Sequence, residues 1–262
     1  MPAPNRSSVR YIVLFAAAVC LVCALLVSGA VVLLRDRQAQ NQKVDRLTRV
    51  LEVAGLLKDG EQVDQKEVLA RFDKHVRPKV ISLESGDEAE NIDPFTYDQR
   101  RAMQDDKTSR PAPPNEARVF RLPKHGLLYQ VVEDEKVQKL VLPIQGYGLW
   151  STMYGYIALE EDAQTVAGIT FYEHGETPGL GGEIENPRWQ STWKGRKVYD
   201  GEGEVKLRVQ KGSAEGNPHK IEAISGATIT SRGVSNTIAL WLGPEGFGKY
   251  LDVYRSKRIG HD

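Results

Sequence analysis

Ser225-Gly226-Ala227-Thr228, followed directly by Ile229-Thr230-Ser231, sets hydroxyl side chains around the two smallest residues. Small residues let another macromolecule approach the backbone, and Thr228 offers it an oxygen nucleophile. A threonine hydroxyl is a poor nucleophile until a base or a metal activates it. No His, Lys or Cys lies between Ile221 and Ser231, so the stretch reads as a substrate for another enzyme rather than as a catalytic group. The competing reading is a helix N-terminus, with Thr228, Thr230 or Ser231 capping a helix over Val234–Leu242. Local chemistry alone favours the helix start.

Two further segments stand out. Tyr147-Gly148-Leu149-Trp150-Ser151-Thr152-Met153-Tyr154-Gly155 combines glycines, aromatics and hydroxyls. His174-Gly175-Glu176-Thr177-Pro178-Gly179-Leu180-Gly181-Gly182-Glu183-Ile184 follows an expected strand. The latter is not a dinucleotide fingerprint, because the third glycine is missing and no long helix follows. Its glycines allow backbone to lie close to a flat ligand; equally they are ordinary turn chemistry, and composition favours the tight loop. His174 and Glu176 suggest a metal pair, but no third ligand stands at a recognisable spacing. No catalytic residue and no metal ligand is assigned.

The elements that must position these segments occupy 262 residues, enough for one sizeable core. Lys+Arg and Asp+Glu both number 35, so no charge field points to nucleic acid. Cys occurs only at Cys20 and Cys23, which excludes a disulfide framework or a zinc site in the rest of the chain. Tyr11 to Leu34 carries no charge, and at ~1.5 Å per residue a helix of that length crosses a ~30 Å hydrocarbon core. Ser28-Gly29-Ala30 resembles a signal-peptide cleavage site, yet the apolar run continues past it through Val31–Leu34. One uncleaved transmembrane helix over 11–34 is expected, after a cytoplasmic tail of residues 1–10. Arg35, Arg37, Lys43, Arg46 and Arg49 outnumber Arg6 and Arg10 across the span. Charge counting therefore places the large domain in the cytoplasm, although that rule weakens for long translocated domains.

Periodicity predicts helices over Lys43–Leu57, ending near Lys58-Asp59-Gly60, and over Asp64–Val76, with a short strand at Val80-Ile81. Glu84 to Asn115 is polar and ends in Pro111-Ala112-Pro113-Pro114, a loop or linker. Residues 35–115 are thus a helical flank and linker, and 116–262 are the soluble core. There, Leu127–Val132 and Val137–Leu142 flank a turn at Glu133-Asp134-Glu135, and Tyr154–Leu159 and Val166–Tyr172 repeat the pattern. Val205–Val209 and Ile221–Ile224 add strands; Val234–Leu242 and Tyr250–Tyr254 add helices. The fold class is α+β, a mostly antiparallel sheet with flanking helices.

Taken together, the motifs resemble the C subunits of Na+-translocating NADH:quinone oxidoreductases. The matching text is Gly148–Tyr154, then His174–Ile184 with Asn186-Pro187-x-Trp189 and Trp193-x-Gly195, then Ser225–Ser231. Ser-Gly-Ala-Thr is similar to the flavinylation motif Asp-x-x-Ser/Thr-Gly-Ala-Thr/Ser, with Glu222 at the leading carboxylate position. The resemblance implies one covalent FMN per chain, on Thr228 through a phosphoester, with Ser225, Gly226 and Ala227 completing the motif. Glu222 would help a flavin transferase engage the hydroxyl. Leu149, Trp150, Ser151 and Thr152, with Glu176, Thr177, Pro178, Gly179, Leu180 and Gly181, are the candidate cofactor pocket, together with Thr230. A phosphate there also suits the helix-start reading, since free N–H groups and the positive dipole end would meet it.

By the same resemblance, the chain is an FMN domain on the periplasmic side of a bacterial inner membrane. The resemblance implies that it relays electrons from NADH oxidised on another subunit toward ubiquinone, coupled to sodium export. Its partners are the other subunits of that membrane complex and the flavin transferase. The G subunit of the related Rnf electron-transfer complex shares the motif, but Gly-Leu-Trp-Ser-Thr and Asn-Pro-x-Trp favour the quinone reductase. A non-redox membrane-anchored binding module remains an alternative. A self-contained flavoenzyme is disfavoured by the lack of an evident NAD site or acid–base pair.

Overall fold

The computed structural model describes residues 9–58, 61 and 63–259. Most of the expected N-terminal tail, and Asp59 and Gly60 of the expected helix stop, lie outside them. The chain divides into two compact units between Arg46 and Leu47. In the first, α1 (Val9–Val53) begins with a span, Val9–Arg35, 27 residues long, that carries no charge from Tyr11 to Leu34. Leu14, Phe15, Leu25, Leu26 and Leu33 all stand exposed around it. A helix apolar on every side over this stretch has the length and composition of a membrane span.

The helix expected separately over Lys43–Leu57 is the tail of α1 and stops earlier, at Val53. Gly55 takes φ +75°, and the Leu56 N–H returns to Leu51 O at 2.8 Å. This left-handed closure satisfies the carbonyls of the last turn. Within the second unit, Val50, Leu51 and Val53 are buried.

There follow α2 (Gln65–His75), β1 (Val76–Ser82), α3 (Gln99–Ala102), β2 (Ser109–Pro111) and β3 (Arg121–Pro123). Next come β4 (His125–Glu133), β5 (Lys136–Tyr147), β6 (Thr152–Glu160) and β7 (Val166–Glu173). A 3-10 helix over Gly181–Glu185, α4 (Pro187–Ser191), β8 (Arg208–Gln210), β9 (Lys220–Glu222), α5 (Thr228–Leu242) and α6 (Gly248–Ile259) complete the order. The main sheet runs β1-β4-β5-β6-β7, antiparallel throughout. Its β4–β5 turn has Asp134 and Glu135 both at positive φ, the backbone a two-residue hairpin needs.

Three expectations change in detail. The strand at Val80-Ile81 belongs to the second half of a seven-residue edge strand, so residues before 116 complete the sheet. The polar stretch Glu84–Asn115 contains α3 and β2, and β2 pairs with β3. The strands expected over Val205–Val209 and Ile221–Ile224 are the three-residue β8 and β9, which pair in parallel.

α5 lies against β5 and carries the core across. Val234, Ile238, Trp241 and Leu242 pack with Leu140, Leu142, Ile144, Met153 and Ile157, all buried. Trp241 Nε1 donates to Gln145 O at 2.6 Å, satisfying the indole where it enters the core. The approach is close enough that a Cβ on Gly146 would lie 2.0 Å from Thr237 Oγ1. The N-terminal end of α5 is thereby fixed beside the end of β5 and the loop into β6.

Candidate functional site

Thr228 is the first residue of α5 and is exposed. Ala227 occupies the N-cap position and no side chain caps the helix. This corrects the expectation that Thr228, Thr230 or Ser231 would do so. Thr230 Oγ1 donates instead to Glu176 Oε2 at 2.5 Å, and Ser231 Oγ accepts the Ile224 N–H at 3.2 Å. Helical bonding begins with Ser231 N to Ala227 O at 2.9 Å, which leaves the first-turn N–H groups without intrahelical acceptors. An exposed hydroxyl therefore stands at the positive end of a fifteen-residue helix, where an anion is favoured.

The turn into this helix is tight. Ala227 N donates to Ile224 O at 3.1 Å, and Gly226 takes φ +75°, a conformation other residues adopt only at a cost. A Cβ on Gly226 would also lie 2.9 Å from Leu180 Cδ2. Ser225 is exposed on the same turn. Glu222, at the end of β9, is exposed; its Oε1 accepts the Ala214 N–H at 3.1 Å and its carbonyl accepts Trp189 Nε1 at 2.9 Å. Trp189 thus ties α4 to the strand that leads into the motif.

Glu176 is the hub. Its side chain turns inward and the residue is only 5% exposed. Oε1 accepts from the N–H groups of Leu149 (3.1 Å), Trp150 (2.9 Å) and Ser151 (3.3 Å). Burial pushes the carboxyl pKa up. The Thr230 hydroxyl and the Trp150, Leu149 and Ser151 amides outweigh burial and hold it below the ordinary glutamate value. A second tie runs from Gly175 N to Ser151 Oγ at 2.6 Å.

His174 Nδ1 accepts the Glu176 N–H at 3.1 Å, while Nε2 lies 3.0 Å from Glu185 Oε1 without hydrogen-bonding alignment. The two groups considered as a metal pair are thus engaged within the protein. No group of three or more His, Cys, Asp or Glu side chains suited to a metal stands among the described residues.

The remaining candidates fall into place around this hub. Thr177 and Leu180 close a turn over Pro178 and Gly179, with Leu180 N donating to Thr177 O at 3.1 Å; all four residues are exposed. Gly181 is buried against Thr230 and Glu176. Thr152 begins β6 opposite Tyr147. Large apolar side chains stay exposed here: Leu149 (39%), Trp150 (63%), Leu180 (45%) and Ile229 (50%). Exposed apolar groups gathered beside a free helix N-terminus and a free hydroxyl fit a ligand with a flat apolar ring and an anionic tail.

Arg100 was not singled out from the sequence. Its guanidinium pairs with Glu173 through two bonds (2.6 and 2.9 Å) and lies 3.5 Å over the Tyr154 ring. That clamp joins β6 to the end of β7, just where the 174–182 loop departs. Seventy-three residues separate the ion pair, and no local pattern signals it.

Comparison with known proteins bears directly on this geometry. Residues 148–243 match the family model described as an FMN-binding domain. The C subunit of the Na(+)-translocating NADH-quinone reductase of Pseudomonas aeruginosa is 42% identical over 253 residues, covering 94% of this chain and 96% of that protein. Its counterpart of the same name from Vibrio alginolyticus is 40% identical over 260 residues, 98% of this chain and 99% of the other. Among solved structures, Shewanella oneidensis NqrC superposes with a TM-score of 0.75 at 34% identity, covering 82% of this chain and 99% of that one.

Proposed function

The chain belongs to the family of C subunits of the Na(+)-translocating NADH-quinone reductase, and from that premise we propose that it carries one FMN joined through its phosphate to Thr228 Oγ. The observation that carries this reading is the exposed Thr228 hydroxyl at the uncapped start of α5, beside Leu149, Trp150, Leu180 and Ile229. Ser225, Gly226 and Ala227 form the turn that presents the hydroxyl. The first-turn N–H groups and the helix dipole would hold the phosphate oxygens. Leu149, Trp150, Leu180 and Ile229 would bound the ring and shed water from it. Ser151, Thr152, Thr177, Pro178, Gly179, Gly181 and Thr230 shape the surrounding loops.

Bound there, FMN would supply electron transfer between NADH oxidation on another subunit and ubiquinone, within a complex that exports sodium. No His, Lys or Cys stands between Ile221 and Ser231 in the sequence to activate the Thr228 hydroxyl. Ester formation is accordingly assigned to a flavin transferase, with Glu222 as its recognition carboxylate. In this reading 11–34 spans the bacterial inner membrane, 35–115 is flank and linker, and 116–262 bears the flavin, its sheet completed by 76–82. The FMN domain faces the periplasm, where a covalent tether prevents loss of the cofactor by dilution. The other subunits of the complex are its partners.

Intact mass of the chain purified from membranes of its own host tests the attachment. The expected gain is one FMN less one water, absent in Thr228→Val and retained in Thr230→Val, whose hydroxyl is buried on Glu176. An adduct persisting in Thr228→Val refutes the assignment.

A further inference from the structure

Glu176 is charged, buried and paired with no cation among the described residues: both its oxygens are used up by amides and one hydroxyl. Three successive backbone N–H groups converging on one oxygen form a nest, the backbone arrangement that elsewhere in proteins holds a free anion. Here the anion is a side chain of the neighbouring loop. The backbone is shaped to admit it, since a Cβ on Gly148 would lie 2.6 Å from Oε1 and one on Gly181 would lie 2.8 Å from Oε2. One carboxylate therefore joins three segments that are distant in sequence: the loop 148–151, the loop 174–182, and the first turn of α5 through Thr230.

We propose that Glu176 is a positioning residue for the flavin site, locking the Leu149–Ser151 loop to the start of the attachment helix without itself touching the cofactor. The proposal rests on the reading that Thr228 bears FMN. Its chemistry is specific to a carboxylate. Glutamine offers one accepting oxygen and an NH2 group that would face either an amide N–H or the Thr230 hydroxyl. Aspartate is one methylene short. Alanine leaves three amides and a hydroxyl orphaned in a buried space. The exposed apolar side chains of Leu149 and Trp150 are carried on the amides that Glu176 holds, so their placement follows from its charge.

The test uses the full chain, purified in detergent from membranes of its own host, as wild type, Glu176→Gln and Thr230→Val. Amide hydrogen exchange is followed in peptides covering 147–153 and, as reference, 137–144 in β5. Visible circular dichroism, normalised to flavin absorbance, reports how rigidly the bound ring is held. In Glu176→Gln, exchange in 147–153 should accelerate about tenfold or more, the loss expected for charge-assisted bonds. The reference peptide should stay unchanged and the dichroism should weaken. Thr230→Val, which removes one bond of the set, should show the same pattern to a smaller extent, and it decides alone if Glu176→Gln does not accumulate.

Exchange in 147–153 within twofold of wild type overturns the proposal. So does equal acceleration in β5, which would make Glu176 a general core residue, and so does faster exchange with unchanged dichroism. Wild-type intact mass is read first. A missing FMN increment sinks the attachment reading, and exchange, which needs no flavin, then judges the lock by itself.

Discussion

Gly233→Ala should destabilise the protein although it places a better helix former inside a helix. Gly233 is buried in α5, where a Cβ would lie 2.4 Å from Tyr147 O, 3.1 Å from Gly148 Cα and 3.3 Å from Met153 Cε. Helix propensity alone predicts a gain of about 1 kcal/mol. Against it stands overpacking, typically about 1–3 kcal/mol. The obstacle is a backbone carbonyl rather than the end of a flexible side chain. That backbone is also tied: Tyr147 N donates to Ala117 O and Gly148 N to Ser151 O, both at 2.8 Å. Relief must come from lifting α5 off β5, which selects the upper end of the penalty and leaves a net loss of about 2 kcal/mol. For a chain of this size that corresponds to about 4–8 °C in Tm. Urea unfolding followed by tryptophan fluorescence reads it directly, since Trp193 and Trp241 are buried. Gly201→Ala is the control, with nothing within 4 Å of its added Cβ, and should stay within about 0.5 kcal/mol of wild type. Stability at or above wild type in Gly233→Ala would refute the claim that α5 is seated on β5 at contact distance.

Glu222→Ala should lower the fraction of chain carrying the FMN mass increment while costing about 1 kcal/mol of stability, because its side chain is exposed and holds only the Ala214 N–H. Full flavin occupancy in that variant would reduce Glu222 to a surface charge. Protease added to intact spheroplasts should digest the region after Arg35 and spare a cytoplasmic marker. A domain cut only after lysis would decide for the charge rule and a cytoplasmic location.

The two central hairpins were legible because alternation and turn chemistry coincide in them: Leu127–Val132 and Val137–Leu142 flank residues that accept positive φ. The parallel pair β8–β9 was visible only as short apolar runs, since three residues do not establish a period and parallel pairing joins partners twelve apart. The full length of β1 was hidden by Arg77, Pro78 and Lys79, polar or ring-locked residues that suit an edge strand. At the site, residue types were legible and side-chain directions were not. Glu176 stands out in its loop, but its partners lie 25 to 54 residues away, and only the fold reveals that its carboxylate points inward. The hydroxyls of 228–231 look equivalent in sequence; burial is what separates them.

That separation has a consequence for how a modifying enzyme chooses its target. Thr230 and Ser231 are 1% and 2% exposed, so the folded chain withdraws their oxygens and presents only Ser225 and Thr228 along this turn. On the proposed attachment to Thr228, a transferase acting on the folded chain would need little discrimination, because the fold has already sorted the alcohols. An unfolded chain would offer all four alike, so folding before modification would act as a form of proofreading.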